Sequence, residues 1–210
     1  MDGNGYTSEA QVALHQAVKS AYDQLDNATR NYWGPPAPYS SPRAVSWQGF
    51  SRLLEHFASD GKSRGYIFTL NQDLFVERWY SEERGELLRT PSMTPGVDFK
   101  GKTPWSWLQG GKLTPDYYLQ APSNPTEVPE GTSNLLYYVK LHGSMNWKSS
   151  DGRDLMVIGG NKLAQIHREK LLQWYLDLFQ EVLSCPNRRM LVIGYGFRDL
   201  HINTVIAQSI

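Results

Sequence analysis

Three short apolar runs in this chain each end abruptly in a polar or glycine-bearing turn, and that repeated ending constrains the fold more than any other feature. Tyr66-Ile67-Phe68-Thr69-Leu70 runs into Asn71-Gln72-Asp73, residues 135–141 run into His142-Gly143, and Met190-Leu191-Val192-Ile193 breaks at Gly194-Tyr195-Gly196 before Phe197. Short runs rich in β-branched and aromatic residues read as strands, and 190–193, apolar at every position, reads as a strand buried on both faces. Residues 155–158 read as a further short strand before Gly159-Gly160-Asn161. Helical periodicity lies between these runs, and strands alternating with helices predict an α/β chain with a mostly parallel sheet and right-handed crossovers. Such open sheets bind ligands outside the carboxyl ends of their strands, so the three turns are expected to converge on one crevice.

The helices can be placed from period and punctuation. Ser8 with Gln11 reads as a capping box, after which Leu14, Val18, Ala21, Leu25 and Ala28 recur at helical spacing to about Arg30. Residues 33–43 hold four prolines, which fix φ and remove donors, and read as a linker or surface loop. Ser46 caps a predicted second helix with Trp47, Phe50, Leu53, Leu54 and Phe57 on one face, ending near Gly61. A helical stretch is predicted over 74–80, and one long helix over about 164–184, with Leu171, Leu172, Tyr175, Leu178, Phe179 and Val182 on one side and Pro186 marking its end. Between 85 and 134 no period is sustained and Pro, Gly, Ser and Thr abound, so this stretch reads as a Pro/Gly-rich insertion or small subdomain. The expected organisation is a helical segment over 1–60 packed on a domain over 61–210 that carries the 85–134 insertion.

Charge and cysteine content narrow the function classes. Lys plus Arg (21) balances Asp plus Glu (21), so there is no basic field to draw nucleic acid. One cysteine, Cys185, makes neither an internal disulfide nor a four-thiolate zinc site, which fits a reducing, cytoplasmic setting. The longest apolar stretch, near 190–197, falls far short of the roughly 20 residues a membrane span needs, so no membrane partner is expected.

Taken singly, each turn has an ordinary structural explanation. Asn71 can form an Asx turn with Asp73 capping the next helix. His142 can fill a turn beside Gly143, and Gly194 and Gly196 can serve positive φ or close packing. Asp199-Leu200-His201-Ile202-Asn203 reads as a cap followed by exposed polar residues. Together and in order, however, Thr69-Leu70-Asn71-Gln72-Asp73, Lys140-Leu141-His142-Gly143-Ser144-Met145-Asn146-Trp147 and the stretch Ile193 to Asn203 match the three motifs of sirtuin-like domains. Over roughly residues 64–210 the chain resembles the sirtuin-like NAD-consuming superfamily, closer to bacterial antiphage-defence NADases than to protein deacylases.

The resemblance implies a Rossmann-like sheet and cleavage of the nicotinamide–ribose bond of NAD, which is substrate rather than recycled cofactor, with no metal. It places Asn71, His142 and Asp73 in the catalytic site and Thr69, Gly143, Gly194, Tyr195, Gly196 and Phe197 against the nucleotide. A neutral imidazole suits His142 as base, and the Asn71 amide can hold ribose or water without adding charge. Asp73 fits an orienting role. Three departures stand out: Gln72 replaces an aromatic or aliphatic residue, Gly196 replaces Ser, and Leu200 stands where Pro is frequent. The Gly-Ala-Gly-x-Ser loop that cradles the pyrophosphate in the family has no counterpart before Asn71, and the nearest substitute is 156–161. Weak NAD binding is therefore expected of these residues, as of a piece of a longer protein or of a domain lacking part of its cofactor site. The alternatives are a degenerate module that binds a nucleotide or a partner protein without turnover, and an α/β scaffold assembling through its aromatic-rich insertion. Homo-oligomers or additional domains are compatible with all three.

Overall fold

The computed structural model of the chain describes residues 8–30, 53, 65–74, 91–93, 119–121, 136–149 and 151–209. Helix α1 spans Ser8–Arg30, as its period predicts. Its inward face is narrower than the sequence stripe. Val18 and Tyr22, one turn apart, pack on Leu74, Met145 and Met156, whereas Leu14 and Leu25 are exposed. Beside this contact Lys19 meets Asp154 Oδ1 at 2.5 Å, and Lys148 meets the same oxygen at 2.6 Å.

The described strands form two three-stranded sheets rather than one. In the first, β1 (Gly65–Thr69) and β2 (Pro91–Met93) flank β4 (Leu136–Lys140), and both pairs are parallel. In the second, β5 (Gly143–Lys148) lies between β3 (Leu119–Gln120), parallel to it, and β6 (Asp154–Met156), antiparallel to it. Parallel pairing thus dominates, as expected. The 85–134 stretch supplies β2 and β3, so it is woven into both sheets. Helices α2 (Lys162–Arg168), α3 (Lys170–Ser184) and α4 (Leu200–Ser209) complete an α/β chain.

Packing explains the placement of α3. Leu171, Leu172, Tyr175, Leu176, Leu178 and Phe179 recur every three or four residues and are all buried, joining Tyr137, Val139, Leu141 and Trp147 in the main core. The Phe68 and Phe179 rings lie 4.8 Å apart, fastening α3 to β1, and Trp147 meets Tyr175 at 6.3 Å. Residues 137–140 of β4 are buried on both faces, as befits the central strand.

Two expectations are corrected. The single helix over 164–184 is two, because Glu169 adopts extended backbone (φ −115°, ψ 111°) between them. More consequentially, 190–193 is not a strand. Met190, Leu191, Val192 and Ile193 are 38–67% exposed. Apolarity alone does not make a strand: among the described residues no ladder reaches 190–193. The predicted helices over 46–61 and 74–80 and the linker at 33–43 lie outside the described residues, Leu53 apart.

Candidate active site

Register sets the geometry. Because Thr69 pairs with Lys140 in parallel, the residues that follow, Leu70-Asn71 and Leu141-His142, leave the first sheet at the same edge, and the Leu141 amide donates to the Thr69 carbonyl at 2.9 Å. Asn71 is exposed there, its amide donating to Thr69 Oγ1 at 3.0 Å in a tight local turn. His142 sits where the chain passes from β4 to β5, and only 4% of it is exposed. Gly143, at φ +75°, makes the bend.

Gln72 ties these ends together. Its side-chain amide donates to the His142 and Val157 carbonyls, both at 2.9 Å, and its own carbonyl accepts from the Met145 amide at 2.9 Å. One buried glutamine thus joins the ends of β1, β4 and β6, which gives a physical reason for a polar residue where sirtuin-like domains carry an apolar one. Gln72→Leu keeps the bulk but removes both donors and is expected to destabilise the fold by about 2–4 kcal/mol. Urea unfolding measures this, and a change under about 0.5 kcal/mol would show that the amide does not hold the junction.

The Asp73 carbonyl accepts from the buried Lys140 ammonium, which also donates to Ser144 Oγ at 2.9 Å. Burial raises the Tyr22 hydroxyl pKa, and the nearby Asp73 carboxylate adds to this although the Gln72 backbone hydrogen bond works against it. The Asp73 side chain therefore lies close to α1.

The third segment arrives through α4. His201 is buried, not an exposed polar residue following a cap, and its Nε2 lies 3.0 Å from Nε2 of His142. Asp199 next to it pairs with Lys162 of α2. Tyr195 packs on the main core, with its hydroxyl 2.8 Å from Asn203 Oδ1 and 3.1 Å from the Asp199 carbonyl. Asn203 Nδ2 donates to the Phe197 carbonyl at 2.9 Å. Gly194 (φ +65°), Gly196 and Phe197 (φ 53°) stand exposed around this anchor. The 156–161 stretch is occupied differently: the Gln165 side chain bonds the Ile158 amide and the Ile158 and Gly160 carbonyls.

Electrostatics follow from burial. Desolvation lowers the His142 pKa to about 4, helped by the Lys162 and His201 charges and opposed by Asp199. Burial also lowers that of His201, where Asp199 pulls upward and Lys162 adds to the lowering. Burial would raise the Asp199 carboxyl, yet the hydrogen bond and charge of Lys162 outweigh it and hold the pKa below the ordinary value. Both imidazoles are therefore neutral at pH 7. Since the folded-state pKa of His142 lies below its ordinary 6.5, the unfolded chain binds more protons between those values, and stability present above pH 6.5 is lost as pH falls toward 4. The loss from this residue is expected to reach about 3 kcal/mol. Melting curves from pH 7 to 4 test it, with His142→Gln showing a shallower decline than wild type; parallel curves would contradict it.

His142, Asp199 and His201 offer three ligand atoms within 4.8 Å of one another, a set in number sufficient to hold a metal ion. Chemistry argues against the fit, because the Asp199 carboxylate already meets the Lys162 ammonium, whose charge opposes a dication.

Sequence reasoning missed His201, Lys162 and Gln72. A signal for His201 existed in its spacing, since it shares a helical stripe with the buried Val205; Lys162 carried none.

No helix among the described residues is long and apolar enough to cross a membrane. A search of curated proteins finds no match to this chain. Residues 65–210, which include every candidate residue above, match the family model described as SIR2-like domain, and on this match the chain belongs to the SIR2-like domain family.

Proposed function

We propose that this chain binds NAD at the shared edge of β1 and β4 and cleaves its nicotinamide–ribose bond. The observation that carries the reading is the juxtaposition of the exposed Asn71 with a neutral, buried His142 at the ends of two paired parallel strands. Departure of nicotinamide leaves positive charge developing on the ribose. Asn71 holds the ribose or the attacking water in position through its amide, without adding charge. His142, unprotonated at pH 7, accepts a proton from a ribose hydroxyl or that water. Asp73 orients the turn. Thr69, Gly143, Gly194, Tyr195, Gly196 and Phe197 line the nucleotide side, with bare glycine backbone approaching phosphate or ribose near the start of α4.

The one cysteine of this chain cannot furnish the four-cysteine zinc ribbon of classical deacylases, so hydrolysis of NAD is favoured over protein deacylation. We further propose a Rossmann-like arrangement of the domain over 61–210 with the 1–60 helical segment packed on it, a cytoplasmic setting and a role in antiphage defence. Incubating the chain with NAD and quantifying free nicotinamide and ADP-ribose by chromatography tests the catalytic reading. Stoichiometric appearance of both is expected. Saturable NAD binding with no nicotinamide released would instead identify a nucleotide-binding module without turnover.

A further inference from the structure

Two neutral imidazoles that face each other Nε2 to Nε2 at 3.0 Å are joined by one N–H···N bond, so one ring donates and the other accepts. His142 Nδ1 has no hydrogen-bond partner among the described residues and is not sealed from solvent. If His142 donates through Nε2, its Nδ1 keeps a lone pair for substrate, while His201 carries its proton on Nδ1. The opposite assignment would protonate His142 Nδ1 and leave it unable to accept anything.

Taking NAD cleavage as the reaction, we propose that His142 and His201 act as one base, with His142 the catalytic residue and His201 a positioning residue that stores the proton. The substrate oxygen gives its proton to His142 Nδ1 and keeps the O–H electron pair. In the same event the Nε2 proton of His142 moves to His201 Nε2. His142 ends neutral with its tautomer exchanged, and His201 ends as imidazolium. The charged groups facing the pair are Asp199, which favours that charge, and Lys162 of α2, which opposes it. The relay answers a difficulty of the site: a lone imidazole with a pKa near 4 is a weak acceptor at neutral pH, and handing the charge toward Asp199 relieves it.

Nitrogen-15 NMR of the histidine-labelled full chain at pH 7 tests the pairing without any turnover. Expected are a neutral His142 protonated on Nε2, a neutral His201 protonated on Nδ1, and a scalar coupling between the two Nε2 atoms across the hydrogen bond. A His142 protonated on Nδ1, or no coupling, would overturn the relay, as would saturable Zn²⁺ binding that replaces the coupling. His201→Gln, whose side-chain carbonyl can still accept from His142 Nε2 but cannot store a proton, is the kinetic arm. Its kcat for nicotinamide release should fall roughly tenfold or more with KM within about twofold, and its pH profile should move. Unchanged kcat and pH profile would refute the storage role. Should the wild-type chain release no nicotinamide, the NAD reading fails, and the NMR result still decides the pairing.

Discussion

Replacing His142 with alanine is expected to cut nicotinamide release by 10²–10⁴-fold, the usual contribution of a general base. The side chain is buried, so the loss must be separated from unfolding. Its described partner is the single imidazole of His201, and its backbone carbonyl stays bonded to Gln72 and to the Val157 amide whatever the side chain is. Truncation therefore removes one side-chain hydrogen bond and a modest volume, at about 1–3 kcal/mol, which leaves most domains folded given a typical total of roughly 5–15 kcal/mol. Circular dichroism should show the same helix content as wild type. Release within a factor of two of wild type in a folded variant would remove His142 from the chemistry.

The largest expected stability effect comes from the next residue. Gly143 has φ +75°, and a Cβ there would stand 2.0 Å from the Leu155 carbonyl oxygen and 2.9 Å from its carbon. Both are backbone atoms of β6, which is paired to β5 through Gly143 and Met156, so no side-chain rotation relieves the clash. Gly143→Ala must either part the two strands or flip the bend that places His142, at a cost of about 2–5 kcal/mol. Gly194→Ala is the control. It has a similar φ of +65° but nothing within 4 Å of its Cβ, so only left-handed strain of about 1–2 kcal/mol applies. Urea unfolding of the two variants compares them, and a Gly143→Ala protein as stable as Gly194→Ala would contradict the β5–β6 geometry.

The elements that were legible in the sequence are those whose signal is local. β1 and β4 are five-residue strands with aromatic or β-branched residues at most positions, and α1 and α3 carry their period within their own length. The run 190–193 shows the limit. Four apolar residues say that burial would be favourable, but not whether a strand lies alongside to receive their hydrogen bonds. Gln72 shows another, since a glutamine in a turn becomes a buried tie only because segments 70 and 85 positions away present their carbonyls to it. His201 reads as a polar residue at a helix start until the fold brings His142, 59 positions earlier, to its Nε2. Likewise Glu169 breaks a helix that its flanking periodicity would have continued. Asn71 and His142 stand out in the sequence because each follows a predicted strand, and the parallel register of β1 and β4 brings the two strand ends to one edge.

The most direct test of the account is to titrate the nitrogen-15 histidine-labelled chain with a carbocyclic NAD analogue, in which a methylene replaces the ribose ring oxygen and cleavage is blocked. The account predicts that the His142 and His201 signals shift together and saturate, while exposed His167 on α2 stays in place. Saturable binding of the analogue that leaves His142 and His201 unmoved would place the nucleotide elsewhere and contradict it.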